Sequence, residues 1–288
     1  MSAAFPHIAP AAAPKAGEYE FIRQLVYRHS RINLGPDKAE LVRNRVQKRL
    51  RALGLPDFES YCQVLNSPAG EQEVLALLDV ISTNVTSFFR EIDHFHYLTQ
   101  VLLPALDKKL PRNEPVQIWS AACSSGEEPY SLALTLADYF SRKSERPWRV
   151  FASDISTRVL DVARKGIYRA DKLHLPDPQI LHTFFQKGTG QWEGYFRVKD
   201  SLREHVTFER LNLFEWPYPW KSKFQVVFCR NVMIYFDRPT QRQLVAHLSS
   251  QLEPEGFLFV GHAEGLVGFD HGLKNHRPSV YQLPKASR

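Results

Sequence analysis

The chain has 288 residues, 43% hydrophobic and 24% charged, with a formal net charge of +6. This is an ordinary globular composition with length for a full core and a second domain. Three scattered cysteines, Cys62, Cys123 and Cys229, exclude a disulfide framework and a zinc cluster and suit a reducing cytoplasm.

No apolar run approaches the roughly 18 residues of a membrane span. The opening MSAAFPHIAPAAAPKAG has no basic region ahead of an apolar core, so it reads as a disordered tail over 1–17 rather than a signal peptide. The positive charge points to an acidic partner without choosing among nucleic acid, a membrane surface and an acidic protein.

From residue 18 to 110 the pattern is helical throughout. Leu41, Val42, Val46, Leu50 and Leu53 recur at helical spacing before Gly54, and Arg45, Lys48 and Arg51 fall on the opposite side. EVLALLDVIS (73–82) and EIDHFHYLTQVLLPAL (91–106) continue the helices. PRNEP (111–115) is a turn-rich break, taken as the domain boundary.

Over 111–288 strands alternate with helices. VQIWS (116–120) and WRVFAS (148–153) are buried strands, with helices from about 126 to 140 and over TRVLDVARKG. VTFERLN, FQVVFC and GFLFVGH are further strands, a helix lies near 239–252, and SVYQL closes the pattern. The expected fold is α/β: a mostly parallel sheet flanked by helices, with ligands at the carboxyl ends of the strands. Residues 177–204 interrupt it, and KGTGQ between aromatic and β-branched segments reads as a hairpin in a small inserted β-subdomain.

The loop AACSSGEE after the first strand holds a single glycine, Gly126, and two acids, Glu127 and Glu128. A dinucleotide turn needs several glycines and tolerates no added negative charge beside its phosphates. Two carboxylates favour a cation, and S-adenosylmethionine is a nucleoside cofactor with a sulfonium and an ammonium. Ser125–Glu128 also satisfies a helix capping box, so both readings stay open on the loop alone. The other strand ends add Asp154, which can accept from two ribose hydroxyls, Asn212, which can read an adenine edge, and Arg230, Asn231 and Tyr235.

TNVTSFFRE (83–91), WSAACSSGEEPYS (119–131), VFASDIS (150–156), QKGTGQWEG (186–194), FCRNVMIYFD (228–237) and GFLFVGHAEG (256–265) occur in this order. Together they closely resemble the CheR-type chemotaxis receptor methyltransferases, over about residues 20–283. The resemblance implies a Rossmann-like class I S-adenosylmethionine-dependent methyltransferase domain behind the helical one. The implied activity is methyl transfer to glutamate side chains of chemoreceptor cytoplasmic helices, forming methyl esters and S-adenosylhomocysteine. It implies that Asn84, Thr86 and Arg90 close over the cofactor and that Glu128 takes its aminoacyl end. It further gives Asp154 the ribose, Asn212 and Leu213 the adenine, and Arg230 and Asn231 the pocket wall. Arg90 and Tyr235 would face the methyl group and the acceptor carboxylate.

No Ser-His-Asp set, metal-spaced His/Cys set or Asn-Pro-Pro-Tyr motif is present. A glutamate acceptor needs no base, because its pKa of about 4.3 leaves it ionised at neutral pH; it must be desolvated and aimed. His94, His96 and His262 show no evident carboxylate partner and read as packing residues. The resemblance makes Arg45, Lys48 and Arg51 a docking face for acidic receptor helices. It also makes the Gly188, Thr189 and Gly190 loop a place where a receptor's C-terminal pentapeptide adds as a strand. The implied protein is a cytoplasmic monomer without metal or nucleic acid, reaching the membrane only through its receptor. The alternatives are a nucleic-acid methyltransferase, drawing on the basic charge, and a non-catalytic cofactor-sensing adaptor.

Overall fold

The computed structural model describes residues 13–285. Tertiary contacts divide the chain into two compact units meeting at Thr83 and Asn84. Most of the expected tail lies outside the described residues, but its last two, Ala16 and Gly17, already belong to the first helix.

The first unit comprises α1 (Ala16–Ser30), a 3-10 turn, α2 (Ala39–Leu53), α3 (Phe58–Leu65) and α4 (Glu71–Ile81). In α2, Val42, Val46 and Leu50 point inward at four-residue spacing, while Leu53 is exposed. Asp57 caps α3 by accepting from the Ser60 amide at 2.9 Å. Inside the bundle, Glu73 takes a 2.6 Å ion pair from Arg49 and a 2.7 Å bond from the Tyr61 hydroxyl. Arg45 reaches the end of α4, donating to the carbonyls of Val80, Ile81 and Ser82 at 3.1, 2.7 and 2.7 Å. These are carbonyls a helix leaves unpaired at its C-terminus, where a cation is also favoured by the helix dipole.

The second unit opens with α5 (Asp93–Tyr97), a π-helical turn and α6 (Leu103–Lys109), running on from one another. Phe95, Leu98, Leu102, Leu103 and Leu106 share one buried cluster with Val116, Ile118, Val226 and Phe228 of the sheet. That shared core draws these helices into the second unit, so the division falls ahead of the turn-rich PRNEP segment.

The remaining elements are β1 (Val116–Ala121), α7 (Glu127–Lys143), β2 (Trp148–Asp154), α8 (Thr157–Lys165), β3 (Ile167–Arg169), α9 (Pro178–Phe184), β4 (Phe185–Lys187), β5 (Tyr195–Val198), α10 (Asp200–Arg203), β6 (Val206–Arg210), β7 (Phe224–Phe228), α11 (Arg238–Ser250), β8 (Leu252–Phe259), β9 (Lys274–Arg277) and β10 (Val280–Gln282). The main sheet has the order β6-β2-β1-β7-β8-β10-β9. Its first five strands are parallel, and β10 pairs antiparallel with both β8 and β9. From β1 the chain winds outward one way through β2 and β6, and the other way through β7 and β8. The switch point therefore lies between β1 and β7, where a doubly wound sheet opens a crevice at its carboxyl edge.

The inserted sheet, order β3-β5-β4, is antiparallel. It begins at Ile167, earlier than the expected residue 177, and the stretch after 177 starts as helix α9. Pro178 sits in its first turn and Asp177 caps it by accepting from the Gln179 amide at 2.8 Å.

Candidate functional site

The loop leaving β1 is bent by left-handed residues at Ala122, Ser124 and Gly126. Gly126, φ +97°, precedes α7; a Cβ there would lie 2.8 Å from both Ala163 Cβ and the Tyr168 hydroxyl. No side chain caps α7 at Gly126, so the capping box does not form. The Ser125 hydroxyl instead donates to Glu127 at 2.6 Å. Glu128 turns away, accepting from the Ser120 hydroxyl at 2.7 Å and from Arg230 at 3.0 Å.

The same loop is tied to the end of β2. Asp154 accepts from the amides of Ser124 at 2.8 Å and Ser156 at 2.9 Å, one on each oxygen. Its own carbonyl accepts from the Leu211 amide at 3.0 Å, which fixes the end of β6. There Asn212 forms a local turn, its side-chain oxygen accepting from Phe214 and its amide donating to Glu215. Leu213 is buried beside it.

Arg230 follows β7, across the switch point from Glu128. Its side chain is 1% exposed and lies between two carboxylates, Glu91 at 2.9 Å and Glu128 at 3.0 Å. It also donates to the Arg90 carbonyl. Asn231 adds a 3.1 Å bond to the other oxygen of Glu91. Burial alone would raise the Glu91 carboxyl, but the Arg230 and Asn231 hydrogen bonds and the Arg230 charge outweigh it and hold the group at about 2. Burial raises Glu128 above its usual range, with Arg230 and Ser120 only partly opposing. Two acids share one guanidinium, Glu91 holds the larger share, and with both acids ionised the formal charges of the cluster sum to −1. The under-compensated acid is Glu128.

Asn84 accepts from the Ser124 hydroxyl through its carbonyl at 3.0 Å, and its side-chain nitrogen is buried without a hydrogen-bond partner. Thr86 is half-buried. Arg90 donates to the Val85 carbonyl at 2.9 Å, and no carboxylate pairs with it among the described residues; Glu91, its neighbour, pairs with Arg230 instead. Tyr235 is half-buried in a 3-10 turn, outside the core.

At the carboxyl edge of the sheet, Ser124 links Asn84 to Asp154, and Arg230 with Glu91 links Glu128 to Asn231. The structure does not bring Arg45 into a docking face: that guanidinium is committed to the end of α4, whereas Lys48 and Arg51 are exposed on α2. Gly188, Thr189 and Gly190 lie in the β4–β5 loop, where Gly188 and Thr189 line a cleft of about 350 Å³ with Trp192, Tyr195 and Arg197.

Sequence reasoning missed Glu91 and Glu264. Glu264 is buried and accepts from the amides of Asn231 at 2.6 Å, Gly261 at 2.7 Å and Ile234 at 3.2 Å. A Cβ on Gly261 would come within 2.7 Å of that carboxylate, so only glycine leaves room for the bond. An acid three residues beyond a strand-end glycine was the available signal. His94 does have a carboxylate neighbour, Glu91 at 3.6 Å, without a hydrogen bond. Burial first, then the Arg230 charge, lowers His94 to about 3 and keeps it neutral. Glu91, His94 and His262 bring possible ligand atoms within 4.8 Å of one another. Arg230 touches the same Glu91 oxygen, so a divalent cation there would meet a fixed positive charge, and the trio does not fit a metal.

Residues 84–281 match the model of the CheR methyltransferase SAM binding domain, and residues 17–82 match that of the CheR methyltransferase all-alpha domain. The chain belongs to the CheR methyltransferase family. Similar relatives include the chemotaxis protein methyltransferases of Salmonella typhimurium and Escherichia coli K12. Each is 42% identical over 92% of this chain, covering 89% and 90% of the relative. Chemotaxis protein methyltransferase 2 of Pseudomonas aeruginosa is 39% identical over 92% of both chains. The CheR cofactor is S-adenosylmethionine, and the site suits it: a surplus negative charge at Glu128, a fixed carboxylate at Asp154 and a buried donor without a partner at Asn84. No helix among the described residues is long and apolar enough to cross a membrane.

Proposed function

We propose that this CheR methyltransferase esterifies glutamate side chains on the cytoplasmic helices of chemoreceptors. The observation that carries the acceptor is Arg90, a guanidinium with no carboxylate partner among the described residues, bonded only to a carbonyl. A guanidinium holds a carboxylate in fixed two-point geometry.

When bound, S-adenosylmethionine supplies a methyl group on a sulfonium, already activated for displacement. Glu128 holds the aminoacyl end through charge, Asp154 accepts from the ribose hydroxyls, and Asn212 with Leu213 receives the adenine. Arg230 and Asn231 form the wall behind them, and Asn84 and Thr86 close over the pocket. Arg90 strips water from the acceptor carboxylate and aims it, and the Tyr235 hydroxyl steers its second oxygen. No base takes part, since the nucleophile is ionised already.

Lys48 and Arg51 attract the acidic receptor helix. The β4 strand, with a neighbour on one side only, and the cleft at Gly188 and Thr189 receive a receptor C-terminal peptide. The protein works in the cytoplasm and meets the membrane through the receptor.

The test is transfer of tritiated methyl groups to receptor-containing membranes. Label released as volatile methanol by mild base supports a carboxyl ester, and base-stable label overturns it. Calorimetry with C-terminal pentapeptides of the organism's receptors tests the tether, and an absence of heat from all of them removes it.

A further inference from the structure

Glu264 is 6% exposed, and among the described residues it forms no ion pair; every hydrogen bond it accepts comes from a backbone amide. Burying a carboxylate on these terms is costly, and space alone would be filled by an apolar residue. The three amides show what the charge holds. One oxygen takes Asn231 and Gly261, the other takes Ile234, so the loop after β8 is joined to the chain between Arg230 and Tyr235.

Asn231 has a left-handed φ of 59°, a conformation that persists only where its surroundings hold it. Ile234 directly precedes Tyr235 in the 3-10 turn Met233–Tyr235. The carbonyls of that turn are held from α11, where the Gln241 side chain donates to Met233 and Phe236 at 2.9 and 3.0 Å. The Tyr235 side chain is half-buried, with no hydrogen bond or ring contact among the described residues. No polar partner sets where its hydroxyl stands; the backbone of the turn does.

We infer that Glu264 is a positioning residue for methyl transfer, acting through Tyr235. A carboxylate serves here because it accepts on both oxygens and donates on neither. Glutamine has nearly the same shape and separates the two halves of the clamp. Its single oxygen keeps the Asn231 and Gly261 amides, and its NH2 group then faces the Ile234 amide, donor against donor. E264Q therefore frees the residue before Tyr235 while the pocket wall at Asn231 stays in place. The inference rests on the reading above in which Tyr235 steers the acceptor carboxylate.

The experiment compares full-length parent, E264Q, Y235F and E264Q/Y235F on receptor-containing membranes. Rates are read as total methyl transferred, so they do not depend on which group accepts it. E264Q should lower kcat at least about tenfold, because a small misplacement at the reacting atoms is costly. Its S-adenosylmethionine affinity by calorimetry should stay within about twofold of the parent. Y235F should be slow, and the double variant no slower than Y235F, because the placement of a hydroxyl no longer matters once it is gone. Losses that multiply in the double variant show a purely structural Glu264 and overturn the inference, as does E264Q with the parent's kcat. If tryptophan fluorescence shows E264Q unfolded, Q241A replaces it in the same cycle, with the same deciding outcomes. Y235F with the parent's kcat sinks the Tyr235 reading and this inference together, whereas a slow Y235F beside an unimpaired E264Q sinks the inference alone.

Discussion

Replacing Arg230 by methionine removes the buried positive charge that Glu91 and Glu128 share and keeps most of the side chain's bulk. Its effect shows at Glu91, whose carboxyl Arg230, Asn231 and a backbone donor hold, against burial, at about 2 compared with an ordinary 4.5. At about 1.36 kcal/mol per pH unit, this comes to about 3 kcal/mol. Breaking a buried pair by removing one partner costs about 3–5 kcal/mol, which is of the same order. The sign follows from the depressed carboxyl. Its stabilisation is present above about pH 4.5 and is lost as the pH falls toward 2.

All five tryptophans lie beyond Thr83, so their fluorescence follows the second unit without interference from the helical one. In urea at pH 7, R230M should lose about 3 kcal/mol by this probe. The gap to the parent should narrow from about pH 4.5 toward pH 2, because the unfolded chain takes up a proton at Glu91 that the folded parent accepts only near 2. Adding E91Q to R230M should restore part of the loss, because it removes one of the two carboxylates that lose their partner. A loss under about 1 kcal/mol would refute the reasoning. So would a double variant as unstable as R230M.

Three other outcomes follow from the same geometry. E128Q should weaken S-adenosylmethionine at least about a hundredfold by calorimetry with the tryptophan-monitored stability intact. In the parent, affinity should rise with pH and binding should release protons, because burial raises the Glu128 carboxyl and the cofactor's cation favours its ionised form. R45M should destabilise the helical unit by about 1–2 kcal/mol in circular dichroism melts, while K48E/R51E should leave stability unchanged and raise the receptor KM; the opposite pattern would restore Arg45 to docking. G126A should cost at least about 2 kcal/mol in urea unfolding, combining a strained φ with contact against Ala163 and Tyr168.

The parts of the fold read from the sequence are those whose pattern is set by burial. Strands β1, β2, β7 and β8 are apolar runs because both faces of the sheet are covered, and α2 shows its buried stripe at Val42, Val46 and Leu50. Strand β9, KNHR, is wholly exposed at the sheet edge, so no hydrophobic signal marks it. Helix α9 was hidden by aromatic residues that suggest strand, although Asp177–Pro178 is a capping signal. In the site, residues at strand ends were legible one strand at a time. Glu91 was not, because its meaning comes from Arg230, far along the chain and brought near only by the sheet's order.

That order also accounts for the chemistry. Strands β1 and β7 are neighbours only because the sheet reverses direction between them, so Glu128 and Arg230 face each other across the switch point. A phosphate-binding version of this crevice points bare amides at an anion. Here the first turn of α7 carries a buried acid, and the nearest guanidinium is drawn toward a second acid, Glu91. Arg230 therefore keeps Glu128 soluble in the interior without neutralising it. Were Glu91 absent, Arg230 could pair fully with Glu128 and cancel the attraction for a cation. Glu91, which the cofactor need never touch, sets how much negative charge Glu128 has left to offer.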